Sequence, residues 1–310
     1  MSESQDLRGV YRFAVGTSCC TVLLLMAGAL VTSNNAADSV PDWPLAYGKI
    51  VPPLVGGVRF EYAHRVLAGL VSILTLALAI GLTRADRRPL ARRLGWTGLG
   101  LVIAQAVLGG VRVLVGHPAV SATAHAILAQ VFFITVVGLS LYLSPWWQRD
   151  LPLLDDSSSP SVRSLTLWTT LAILAQLVLG AAFRHGAFGI APHLVGAGVL
   201  TALVVITGRA VKYKFRDVRD LRRGVILLHA FFGLQVLLGG LAYWAVLRAG
   251  DNFQPTVTYV LLTVAHVLGG ALTLAASALL TLSCFRLIHP ASSVAADSPG
   301  ARLAGRTTAG

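Results

Sequence analysis

Acidic residues are scarce in this chain: 13 Asp and Glu among 310 residues, against 25 Lys and Arg, so that charged residues together make up only 12%. A water-soluble protein carries about a quarter of its residues as charges, and half that share excludes a soluble globular enzyme. A disordered chain is excluded as well, because 55% of the residues are hydrophobic and fall in long runs. Cysteine is nearly absent, with Cys19 and Cys20 inside the first apolar segment and Cys284 at the end of the last helix. Adjacent Cys19 and Cys20 point to different faces of a helix and read as packing residues. The net charge of +12 would indicate nucleic acid in a soluble protein. Here the arginines fall between apolar runs, so no nucleic-acid partner is expected.

What is present is a series of eight apolar segments, each near the ~20 residues a bilayer requires: 13–32, 61–83, 94–114, 120–143, 163–182, 190–208, 223–246 and 257–282. Unbroken runs of this length favour helices over a closed barrel. The first run is too long for a signal peptide and no cleavage site follows it, so it is expected to be retained. Of the 25 Lys and Arg, 19 lie at the two ends and in the even-numbered connections; Lys49, Arg59, Arg65, Arg112, Arg184 and Arg248 lie on the other side. The positive-inside rule then places both termini in the cytoplasm. The expected fold is an all-α integral membrane protein with eight transmembrane helices as two pseudo-repeated four-helix bundles. The halves are 1–148 and 163–290, joined by a cytoplasmic linker at 149–162 with its Asp155-Asp156-Ser-Ser-Ser-Pro160 run and followed by a disordered tail at 291–310.

One phrase recurs in the odd helices: Ala104-Gln105-Ala-Val-Leu-Gly109-Gly110, Ala175-Gln176-Leu-Val-Leu-Gly180-Ala181 and Leu234-Gln235-Val-Leu-Leu-Gly239-Gly240, with only the ending, Gly28-Ala29-Leu30, in the first. After each comes an outer loop and then a histidine early in the next even helix: His64, His125, His193 and His266. The chain reads as four copies of a helical hairpin, none of which encloses a site alone.

Imidazole within a bilayer is costly and marks a functional candidate. A single such histidine is as readily a helix-to-helix hydrogen bond, but four at equivalent places are hard to explain by packing. Imidazole is a standard axial ligand of iron porphyrin, bundle cores house such cofactors, and an apolar pocket poor in other ligands fits zinc or copper less well. Two sites follow, His64 with His125 and His193 with His266, all toward the outer face. His229 lies near the cytoplasmic end of its helix, breaks the repeat, and is the lower-ranked alternative ligand in the second half. His117, His185 and His289 fall in loops or at an end.

The halves differ at Glu61, the only acidic residue placed in a helix at membrane depth, three positions before His64 and so on its face. It is either an interfacial carboxylate paired with Arg59 or Arg65, or a desolvated proton acceptor beside a porphyrin edge. The equivalent second-half position is Ile190, which assigns chemistry to the first half and electron transfer to the second. Arg65, Arg112 and Arg184 either snorkel to headgroups or hold porphyrin propionates with their planar forks.

Gly28-Ala-Leu-Val-Thr32, Val40-Pro-Asp-Trp-Pro-Leu45 and Glu61-Tyr-Ala-His-Arg65 together resemble the heme A synthase family. The resemblance extends over most of 13–285. It implies a membrane enzyme that oxidises the C8 methyl of heme O to a formyl group by two successive hydroxylations and supplies heme A to terminal oxidase. It further implies a substrate heme held by His64 and His125, a bis-histidine heme b held by His193 and His266, and Glu61 as the essential carboxylate. The implied partners are heme O and heme A, the lipid bilayer, a heme O synthase, and an electron donor or acceptor. The implied location is the cell (inner) membrane. Many bacterial members carry a cysteine pair around Pro-Asp-Trp-Pro; here Val40 and Ala46 stand there, so the resemblance carries over no redox role for an outer disulfide: either the electron route differs or the pair is dispensable in this branch. The rival readings are a b-type cytochrome passing electrons between quinol and a partner, and a repeat-built transporter or assembly factor.

Overall fold

The computed structural model describes residues 2–116, 118–250 and 254–290; His117 and the 291–310 tail lie outside the described residues. Eight helices follow one another: α1 (Ser2–Ser33), α2 (Val58–Ala85), α3 (Pro89–Leu114), α4 (Ala119–Leu143), α5 (Val162–Arg184), α6 (Ala191–Lys214), α7 (Arg219–Ala249) and α8 (Val257–Leu287). Each is long and apolar enough to cross a membrane, and the chain is a multi-pass membrane protein.

The helices overrun the apolar segments mainly at the arginine-rich ends. α6 continues to Lys214 and α7 begins at Arg219, because apolar length reports only hydrocarbon depth whereas Lys and Arg extend a helix readily. Cations in the last turn of α6, Lys212 and Lys214, also complement the negative end of its dipole. Ser161 and Thr256 cap α5 and α8 by accepting from the amides of Ser164 and Tyr259.

Contacts close the helices into two rings, α1–α2–α3–α4 and α5–α6–α7–α8. The rings meet where α8 lies against α1 and α4, and α4 against α5. Helix α8 is the spine: 61% of its apolar window is buried, against 17% for α3 and 39% for α4. Its sequence explains this, since Gly269-Gly270-Ala271 and Ala275-Ala276-Ser277-Ala278 present little more than backbone and let neighbours approach closely. Phe133 of α4 fills the space beside Ala271 and Ala275. Hydroxyls tie α8 to its neighbours: Ser33 of α1 to Thr263 across 2.9 Å at the seam, and Thr170 of α5 to Ser277 and Thr281 at 2.7 and 2.8 Å within the second ring.

The expected linker is folded. Leu154–Asp156 forms β1, which pairs in parallel with β2 (Ile288–Pro290) beyond α8. Asp156 organises it, accepting from the Ser158 amide and hydroxyl, from the Val162 amide at 2.6 Å and from Lys214 Nζ at 3.1 Å. Burial raises its pKa, but these donors outweigh that and hold it down at about 2. Composition alone reads an Asp-Ser run as linker; a buried acceptor surrounded by amides makes it a knot.

Candidate heme sites

A common seat holds each of the four repeat histidines. A Cβ added at Gly28, Gly109, Gly180 or Gly239 would lie 3.0–3.1 Å from Cε1 of His64, His125, His193 or His266, respectively. The glycine ending each repeated phrase is therefore the space into which the next helix's imidazole fits. Beside each ring lies the carbonyl four residues earlier, that of Leu24, Gln105, Gln176 or Gln235. Nδ1 of His64, His125 and His266 is buried without a completed hydrogen bond. A metal-ligating histidine characteristically turns its second nitrogen toward such a carbonyl.

The repeated glutamines have a role that the sequence did not reveal. Gln105 Nε2 donates to the His125 carbonyl at 2.8 Å, and Gln176 Nε2 donates to the His193 carbonyl at 2.7 Å and meets His193 Nδ1 at 3.0 Å. Gln235 Nε2 lies 3.5 Å from His266 Nε2. In the second half the glutamine needs a further glycine: Gln176 fills the place a side chain at Gly196 would take, and Gln235 that at Gly269. The His-x-x-Gly spacing shared by His193 and His266 was the available signal.

His193 and His266 face each other with ring centroids 6.4 Å apart and planes at 90°. Two metal–imidazole bonds of about 2 Å, with roughly 1.1 Å from each nitrogen to its ring centre, sum to about 6.3 Å. The spacing thus fits one iron held between two imidazoles. No cluster of three or more His, Cys, Asp or Glu occurs among the described residues. His64 and His125 are also neighbours, near enough for charge on one to act on the other. His229 stands apart. Its Nδ1 is bonded to the Val225 carbonyl of its own helix at 2.8 Å and its ring lies on Gly208, six residues and about 9 Å along α7 from Gln235.

Glu61 is 5% exposed. Its Oε2 accepts from the Val40 amide at 3.0 Å, and its Oε1 from Arg65 at 2.7 Å. Arg65, not Arg59, is the partner; Arg59 lies over the Phe60 ring at 4.8 Å. The other Arg65 amino group donates to the carbonyls of Asp42 and Leu45, both at 2.8 Å. The Pro-Asp-Trp-Pro loop is thereby clamped onto α2 through the same guanidinium that holds the carboxylate. Asp42 accepts from the amides of Gly48 and Tyr47, which keep its carboxyl below the usual range. Trp43 lies on Gly110, where a Cβ would meet its ring at 2.5–2.9 Å. The paired glycines of α3 thus divide their work, Gly109 admitting His125 and Gly110 the loop's indole. Val40 and Ala46 share a buried apolar cluster with Val58, against which Tyr62 packs.

Two arginines mark the seam between the sites. Arg184 donates to Ser33 Oγ at 2.7 Å and to the Ala29 carbonyl at 3.3 Å, reaching from the turn after Gly180 to the residue after Gly28. Arg112 has a buried Nε without a hydrogen-bond partner among the described residues. His185, just past α5, faces both; burial, with their positive charge, pushes its pKa down to about 4.

Residues 58–193 match the model of a family described as cytochrome oxidase assembly protein. Among curated proteins, the heme A synthase of Shouchella clausii is 31% identical over 137 residues, 43% of this chain and 45% of that one. The heme A synthase of Alkalihalophilus pseudofirmus is 31% identical over 132 residues, 41% and 42%. That of Lysinibacillus sphaericus is 29% identical over 180 residues, 56% and 57%. The chain spans about half the length of the curated relatives it matches. Over the stretch that carries Glu61, His64, His125 and His193, this chain resembles the heme A synthase family.

Proposed function

We propose that the chain is a heme A synthase, converting the C8 methyl of heme O to a formyl group by two successive hydroxylations and loss of water from the resulting gem-diol. His64 and His125 hold the substrate heme, and His193 and His266 a resident heme b. Heme b, when bound, supplies one-electron transfer. The observation that carries the reading is asymmetry: all four histidines have the same glycine seat, but only His64 has a buried carboxylate one turn away.

The residues divide the work as follows. Glu61 keeps a lone pair on each oxygen beyond those taken by Val40 and Arg65, and in this dry position it accepts the protons released as the methyl carbon is oxidised. Arg65 fixes the orientation of that carboxylate and, by holding the Asp42–Leu45 loop down, excludes water from the outer end of the site. Arg112, with its unpartnered buried Nε, binds the propionates of the substrate heme. Arg184, on the second ring, does so for heme b. Positive-inside orientation puts both sites toward the outer face of the cell membrane, with electron exchange and a heme O synthase as the partners.

The test is co-expression with a heme O source and mass analysis of the extracted hemes. The wild-type chain yields heme A. Glu61→Gln yields heme O while the bis-histidine heme b spectrum is unchanged. Normal heme A from Glu61→Gln would refute its role, and unmodified heme O from the wild type would make the protein a b-type cytochrome.

A further inference from the structure

Two connections on the arginine-rich face begin alike and end differently. After α2, Arg88 donates to the Asp86 carboxylate through Nε and an amino group at 2.6–3.1 Å, and Arg92 donates to the Asp86 carbonyl at 2.6 Å. Asp86 is 2% exposed, so that carboxylate is committed to the loop's own arginines. After α6 the nearby carboxylates are engaged elsewhere. Asp220 accepts from Trp146 Nε1 at 2.8 Å and Asp156 from Lys214. Asp217 meets only Arg216 Nε at 3.4 Å, with side chains 90% and 79% exposed, a solvated pair of little worth. Arg209 and Lys212 have no carboxylate within ion-pair distance among the described residues.

Arg209 and Lys212 converge with Arg216. Arg209, Ala210, Lys212, Tyr213 and Arg216 line an open cavity of about 670 Å³ that has no acidic residue in its wall. Positions 209, 212 and 213 share one face of α6. Their depth follows from the helix: apolar sequence ends at Gly208, and Arg209 to Tyr213 rises about 6 Å. That matches the headgroup layer of one leaflet, roughly 5–7 Å thick. Tyr213 is 87% exposed and is the kind of amphipathic ring that settles at that layer. Three cations and a phenol, open sideways at headgroup depth, with only the solvated Asp217 carboxylate beside one of them, have the chemistry of a phosphate-ester site.

We propose that this cavity binds the headgroup of an anionic glycerophospholipid, with Arg209, Lys212 and Arg216 around the phosphate and the Tyr213 hydroxyl in the same wall. The contrast with α2 is local: there a buried carboxylate, Asp86, is taken up by Arg88, whereas among the described residues no buried carboxylate meets Arg209, Lys212 or Arg216. Each surface cation contributes roughly fivefold to anionic-lipid preference, so three give about a hundredfold.

The experiment uses the full chain in nanodiscs of equal phosphatidylglycerol and phosphatidylcholine, with retained lipid read by native mass spectrometry. Wild type keeps phosphatidylglycerol preferentially. The triple variant Arg209→Gln, Lys212→Gln, Arg216→Gln loses that preference by about a hundredfold, whereas Arg84→Gln at the end of α2 with Arg93→Gln at the start of α3 retains it. Lys212→Gln alone, with about a fivefold loss, serves where the triple variant does not fold. Equal retention in the triple variant or in Lys212→Gln would overturn the proposal, as would an equal loss in the α2-side control, which would mean bulk charge. Displacement by excess inorganic phosphate would overturn the lipid assignment in favour of a free-phosphate site.

Discussion

Replacing Gly239 by alanine sets two effects of opposite sign against each other. Within a helix, Gly→Ala is intrinsically favourable by about 0.8–1 kcal/mol, so a glycine with no packing role should yield a more stable protein. At Gly239 the added Cβ would sit 3.0 Å from His266 Cε1, where carbon pairs settle at about 3.5–4.0 Å. The ring must therefore retreat by about 0.5–1 Å, whereas metal–ligand distances tolerate about ±0.2 Å. With a ligand that far out of place, heme affinity should fall about 10- to 100-fold, the range for disturbing a ligand's supporting contacts. The assay is heme b per polypeptide in purified protein, with the absorption spectrum and a thermal unfolding curve. Gly233→Ala on the same helix is the control, since nothing lies within 4 Å of its added Cβ; it should retain heme and gain stability. A Gly239→Ala protein with its full heme complement and an unaltered spectrum would refute both the seat and the ligand assignment.

Other expectations are more local. The Asp156 carboxyl titrates near 2 when folded against an ordinary value of 3.8, so its contribution is complete above pH ~4 and lost as the pH falls toward 2. It amounts to at most about 2 kcal/mol, because Lys214 is 31% exposed and screened. Asp156→Asn should flatten that acid limb of an unfolding curve, and an unchanged limb would show that the knot is not what titrates. Gly110→Ala pushes against the Trp43 indole, lifting the loop after α1; trypsin should then cut at Lys49 faster than in wild type, and equal rates would sink the idea. His229→Ala should leave the heme b spectrum intact while His266→Ala removes it, and the reverse result would move the ligand to α7.

Legibility in the sequence followed locality. Each span is a property of about twenty consecutive residues, and all eight were visible; only their polar ends were cut short, as at Lys214 of α6. The four histidines were legible because a repeated phrase announced them, although their dependence on Gly28, Gly109, Gly180 and Gly239 requires knowing that successive helices touch there. Contacts between distant segments were not legible. Glu61 had two candidate partners in sequence, and the choice of Arg65 depends on how the 40–47 loop folds back onto α2. Asp156 lay in a run whose composition reads as linker, because its Lys214 partner is 58 residues away. Arg184 was assigned to headgroups or propionates, and its reach to Ala29 and Ser33 across the seam has no counterpart in any local pattern.

The enclosure of α8 bears on biogenesis. It is the last of the eight spans to leave the ribosome, yet it lies against α1, α4, α5 and α7, so the second ring stays open until translation has passed it. His64 and His125 belong to helices that have already met by then, whereas His266 arrives with the closing span. Assembly of the two histidine pairs is therefore ordered in time, and a ribosome stalled between α7 and α8 would display a membrane intermediate with only its first pair of imidazoles together.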